Sequence, residues 1–193
     1  MKKTDTLPVI SFHTQHHWEA WLEENHAEAR GIWLKIAKKD RDARSVSYAQ
    51  ALESALCYGW IDGQKAGLDE QYWLQKFTPR GPRSIWSKVN RDKVTALIAE
   101  GKLQLAGLRQ VELAKADGRW DAAYASPSTI SIPDDLQREL DDDPEASAFF
   151  STLDSANRYA ILWRIHTAKR PQTRAARIRK FVDMLAKHEK LHP

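Results

Sequence analysis

The 193-residue chain carries 30 basic and 26 acidic side chains, 42% apolar residues and one cysteine. It is long enough for one sizeable core, or a core with a helical appendage, and its composition is that of a globular protein in water. No apolar run approaches the ~20 residues of a membrane span, no signal-length apolar segment follows the basic N-terminus, and a lone Cys57 excludes an internal disulfide or a cysteine zinc cluster. The expected location is the cytoplasm, with no membrane insertion.

The net charge of +4 is modest, but its distribution is uneven. Asp134–Glu145 holds seven acids against one arginine, and Ser155–Val182 holds eight basic residues and no acid. Lys76–Lys93 adds six basic residues against one acid. Such asymmetry marks either an anion-binding face or an acidic helix lying beside a basic one.

Residues 1–11 read as a leader with a short strand at Leu7–Ile10. A helix fits Gln15–Glu28, with Trp18, Trp21, Leu22 and Asn25 on one side. Ile32–Ile36 is a strand with Ile32, Leu34 and Ile36 on one face, followed by a charged loop at Lys38–Arg44. Ser47 and Gln50 form a capping-box pair for a second helix carrying Tyr48, Ala51, Leu52, Ala55 and Leu56, and Gly59 sits where a left-handed residue ends it. Trp60–Ala66 and Gln71–Phe77 then read as a hairpin.

A helix capped by Ser84 or Ser87 reaches about Glu100, with Val89, Val94, Leu97 and Ile98 inward and Gly101 as its stop. Another fits Ala106–Ala116, ended by Gly118, and residues 125–133 form the clearest linker. Beyond it, Pro133 and Pro144 suit helix first turns, Ser155 a cap, and Pro171 the start of a last helix whose inner face is Ile178, Phe181, Val182 and Leu185. The expected fold is α+β: a small, mostly antiparallel sheet with packed helices over residues 1–125, then a helical segment over 126–193.

The stretch from Tyr58 to Asn90 concentrates three tryptophans, four glycines and two prolines. Arg80 and Arg83 lie in a turn stiffened by Pro79 and Pro82, just before a helix. Free N–H groups at a helix start, the Ser84 and Ser87 hydroxyls and two arginine forks together suit a phosphate or carboxylate. Trp60 and Trp86 can stack on a flat ring, while Asp62 and Gln64 on one strand can orient it. The plainer alternative makes the serines caps, the arginines solvated and the tryptophans core.

The runs Ala55–Gln64, Phe77–Arg80 and Arg83–Asn90, and later Ala168–Arg174, resemble the YdeI/OmpD-associated (bacteriocin-protection) family. One departure is Gly81, where arginine is usual. The resemblance implies a role in bacteriocin protection or stress resistance, with no particular reaction attached.

Three further features carry other readings. Asp62 can serve as a general base, which makes an unidentified enzyme an alternative. Arg170, Arg174 and Arg177 share one helical face and can track a nucleic-acid backbone, or pair with the acidic helix. Among His13, His16 and His17, His13 and His17 are four apart, a spacing that suits two ligands on one helical face, but no nearby glutamate completes a metalloprotease pattern. No phosphate-binding glycine loop or dinucleotide fingerprint occurs, so neither metal nor cofactor is expected.

Overall fold

The computed structural model describes residues 7–39 and 43–193. Part of the leader and part of the Lys38–Arg44 loop therefore lie outside the described residues. The chain divides into two compact units: one runs through Trp86 and resumes over Asn90–Ala122, the other comprises Ser87–Val89 and Ala123–Pro193.

The first unit is built on a four-stranded sheet of β1 (Val9–Ser11), β2 (Ile32–Ala37), β3 (Trp60–Gly67) and β4 (Tyr72–Pro79), in the order β1-β2-β4-β3. β4 pairs antiparallel with both β2 and β3, whereas β1 and β2 are parallel. The sheet is thus mixed. Its parallel pair follows from the helix α1 (Gln15–Asn25), which carries the chain back so that β2 starts at the same end as β1.

α1 begins at Thr14, whose hydroxyl accepts the His17 N–H. It ends at Asn25 rather than Glu28; the Asn25 side chain and the His26 N–H take the Trp21 and Leu22 carbonyls at 2.8 Å each. Trp18 and Leu22, one turn apart, are fully buried. Trp18 sits centrally among Phe12, Trp21, Trp60 and Phe77, its ring centre 5.3 to 6.2 Å from theirs. Contacts of this geometry add about 0.5–1.5 kcal/mol each beyond burial. Its indole N–H donates to the Ala51 carbonyl of α2 (Tyr48–Cys57), tying the two helices together.

α2 has the expected capping box of Ser47 and Gln50, and Gly59 (φ +73°) makes the turn into β3. At the hairpin end, the Asp69 carboxylate accepts the Gln71 and Tyr72 N–H groups at 2.8 and 2.7 Å. Midway, a bulge between Asp62 and Lys65 leaves backbone carbonyls for the buried Gln75 amide, which donates to Gly63 and Gln64.

Helices α3 (Lys88–Ala99) and α4 (Leu105–Ala116) follow. Val94 and Leu97 are inward as expected, but Val89 and Ile98 are exposed. The inward stripe of α3 is narrower than the spacing suggested, and Asn90 completes it. Gly101 (φ +68°) and Gly118 (φ +75°) end the two helices.

The second unit contains α5 (Asp134–Asp142), α6 (Pro144–Thr152), α7 (Ser155–His166) and α8 (Pro171–Ala186). Their core joins Leu136, Leu140, Phe150, Ile161, Ile165 and the expected α8 face of Ile178, Phe181, Val182 and Leu185. Two caps differ from expectation: Pro133 is the residue before α5, and Asp154, not Ser155, accepts the Asn157 N–H to start α7. A carboxylate beside the positive helix start is the stronger partner. In the same unit Ser87 bridges Tyr124, and the Lys88 N–H donates to the Tyr124 carbonyl at 2.8 Å.

Candidate functional site

A cleft of about 630 Å³ opens in the first unit where β3 leaves α2, where β4 ends, and along one face of α4. Two glycines bring these elements together. A Cβ at Gly59 would stand 2.9 Å from the Ala106 carbonyl oxygen, and one at Gly107 only 2.4 Å from that of Cys57. α4 therefore rests directly on the backbone at the end of α2, and the Gln104 N–H donates to the same Cys57 carbonyl at 3.1 Å.

Arg80 forms the buried wall. It follows the last residue of β4, its N–H donates to the Gly59 carbonyl at 3.0 Å, and the residue is 6% exposed. Its guanidinium carbon lies over Trp86, 3.5 Å from the ring centre, with Nη1 donating to the Ile85 carbonyl at 3.3 Å. Trp86 is held from another side by Trp120, edge-on at 4.9 Å.

Arg119, 9% exposed, lines the same cleft. Its Nε sits against the Asp117 carboxylate at 2.7 Å, and its Nη1 donates to the Ser84 carbonyl at 2.8 Å. Arg109, from the exposed face of α4, supplies a third guanidinium. The lining thus counters three arginines with one carboxylate, Asp117. Tyr58 and His26 form a ring wall, with centres 5.2 Å apart. Burial, then Glu23 and Glu19, hold the Tyr58 phenol above its ordinary pKa, so it stays a neutral donor.

The expected site residues are dispersed over this frame. Trp60 and Arg80 line the cleft, but Trp60 is 1% exposed and donates its indole N–H to the His26 carbonyl. Trp86 is 2% exposed and gives a face to Arg80, so neither tryptophan offers an open ring. Asp62, Gln64, Arg83, Ser84, Trp86 and Ser87 are not among the lining residues. Asp62 accepts the Tyr48 hydroxyl at 2.8 Å; Gln64 and Arg83 are exposed. The Ser84 hydroxyl closes the turn by accepting the Gly81 N–H at 3.0 Å, and Ser87 belongs to the second unit. Cys57 is buried, and its burial raises the thiol pKa to about 11.

The helix over Ala106–Ala116 was expected and is present as α4, but its part in the cleft was not foreseen. Ala106, Arg109, Gln110, Leu113 and Asp117 recur at the spacing of one helical face, and that face lines the cleft. The available signal was a face mixing arginine, glutamine and leucine, which suits neither a core nor a fully solvated side.

The C-terminal basic stripe is partly engaged. Arg174 grips Asp135 with two hydrogen bonds, at 2.6 and 2.8 Å, and donates to the Ile165 carbonyl; Arg177 donates to the Arg164 carbonyl. Arg170 is exposed at the start of α8. The pairing of acidic and basic helices thus accounts for Arg174. No group of three or more metal-ligating side chains occurs among the described residues, and His13, His16 and His17 are exposed. Among those residues no helix is long and apolar enough to cross a membrane.

Comparison with curated proteins and with solved structures found no match. Two family models do match. Residues 10–110, more than half of the chain, match the one described as Domain of unknown function (DUF8412). Residues 129–188 match the one described as Bacteriocin-protection, YdeI or OmpD-Associated. The second match covers the Ala168–Arg174 run behind the resemblance above, whereas the 55–90 runs fall within the first. The chain therefore belongs to the DUF8412 family, and its C-terminal part is similar to the YdeI/OmpD-associated bacteriocin-protection family.

Proposed function

We propose that the first unit binds a small anionic ligand, a carboxylate or phosphate, in the cleft walled by Arg80, and that this serves bacteriocin protection or stress resistance. The observation that carries the reading is the buried Arg80 guanidinium, fixed on Trp86 at 3.5 Å in a cleft also lined by Arg109 and Arg119. A guanidinium withdrawn from water and already held in one orientation loses little freedom when it meets an anion. Low local polarity strengthens the attraction.

Arg80 and Arg119 form the rigid side, while exposed Arg109 can close on the ligand from α4. Tyr58 and His26, rather than the buried tryptophans, provide the surface for a flat ring. The test is a titration followed by tryptophan fluorescence, using phenyl phosphate, benzoate and neutral phenol. Saturable binding of the two anions with no response to phenol is expected; equal response to all three would overturn the reading.

A further inference from the structure

The two sides of the β1-β2-β4-β3 sheet are chemically different. β2 alternates strictly, with Ile32, Leu34 and Ile36 buried and Trp33, Lys35 and Ala37 partly exposed. The register places Trp33 opposite Lys76, Lys35 opposite Leu74 and Ala37 opposite Tyr72, so all six residues share the side away from Trp18 and the buried core. The only acid in the four strands, Asp62, stands opposite Phe77 on the helix-covered side and is bound there by Tyr48 of α2.

On the outer side, two half-buried rings each carry an ammonium. Lys35 Nζ stands 3.9 Å above the Tyr72 ring centre, and Lys76 Nζ 6.0 Å from that of Trp33. Leu74, 9% exposed, fills the floor between them. Tyr72 pairs with a residue four along β2 from Trp33, which separates the two rings by roughly 13 Å along the strand.

We propose that this outer face is a stacking platform for single-stranded nucleic acid. Bases stack on Trp33 and Tyr72, and the Lys35 and Lys76 ammonium groups move from the rings to the flanking phosphates. Flat rings interleaved with cations, without a strand carboxylate on that side, complement a polyanion whose bases are exposed. A second copy of the chain is a poorer occupant, since a two-fold contact would set these lysines against their own kind. The proposal is independent of the Arg80 cleft and of the basic stripe on α8.

The experiment is titration of the whole protein with oligothymidylate at several salt concentrations, read by quenching of tryptophan emission. Saturable binding is expected, weakened about tenfold by Trp33→Ala and by Tyr72→Ala. Arg170→Gln should leave it unchanged. The Lys35→Gln/Lys76→Gln variant removes charge without removing a ring. It should lower the slope of log affinity against log salt by about 1.4, two phosphates' worth. Absence of binding at low salt would overturn the proposal, as would binding that all these ring and lysine variants leave intact. A dimer dissolved by Trp33→Ala would assign the face to a second copy instead, and overturn it equally.

Discussion

Replacing Gly107 by alanine sets two opposed effects against each other at one position. Inside a helix, alanine is favoured over glycine by about 1 kcal/mol, so propensity alone would stabilise the protein. Yet the new Cβ would lie 2.4 Å from the Cys57 carbonyl oxygen, 3.0 Å from its carbon and 3.0 Å from Leu103 Cγ. Ordinary contact requires about 1 Å more, and the obstruction is backbone, so α4 must move as a body. Overpacking of this kind costs about 1–3 kcal/mol, and losing the Gln104 N–H bond to the same carbonyl adds about 1 kcal/mol. Destabilisation wins, by about 1–3 kcal/mol, which lowers the melting temperature by about 2–12 °C. Urea and thermal unfolding followed by circular dichroism read this directly. Since α4 also carries Arg109 to the cleft, anion affinity should fall in the folded variant. A Gly107→Ala protein as stable as the wild type, or more so, would refute the close approach of α4 to α2.

Three further outcomes follow from individual contacts. Cys57, 7% exposed and with its thiol pushed up to about 11 by burial, should react with iodoacetamide at neutral pH far more slowly than a free thiol; rapid stoichiometric labelling of the native protein would contradict this. Asp135→Asn should cost about 1 kcal/mol in urea unfolding, a value kept small because the Arg174–Asp135 pair is a quarter to a third exposed. Arg174 holds the Asp135 carboxyl below its usual pKa, so this contribution is complete above the unfolded value of about 3.9 and disappears as pH falls through the lower folded one; a difference between variant and wild type that grows on acidification would reverse the sign. Tyr48→Phe deletes the donor to Asp62 and should cost about 1 kcal/mol in the same assay, with no loss of anion binding, since neither residue lines the cleft.

Much of the fold was legible because short-range rules decided it. Alternation in Ile32–Ile36, the Ser47–Gln50 box and the helix-ending Gly59, Gly101 and Gly118 each state a local preference that the packing leaves in place. The parallel pairing of β1 with β2 was less visible, because it depends on where α1 returns the chain rather than on the residues of either strand. Of the candidate cleft, Arg80 was legible as a residue at the end of a strand, and its guanidinium lies beside Trp86. The cleft's other half was not. Arg109 and Arg119 lie far along the chain, and the close approaches of Gly59 to Ala106 and of Gly107 to Cys57 bring their segment to the cleft. Nor could spacing show that Trp86 would be covered by the arginine expected to share a ligand with it. Such a cation–ring contact uses the same residue types as an open stacking site.

Arg109 and Arg83 provide the sharpest comparison for the cleft. Both are exposed arginines of the first unit, but only Arg109 is among the cleft's lining residues. Neither is buried, so each can become glutamine with little effect on folding. The decisive measurement is the phenyl phosphate dissociation constant of the wild type, Arg109→Gln and Arg83→Gln at one ionic strength. Loss of one charge-assisted contact at Arg109 should weaken binding about five- to tenfold, while Arg83→Gln stays within about twofold. Equal weakening by both substitutions, or a larger effect at Arg83, would contradict the assignment of anion binding to the Arg80 cleft.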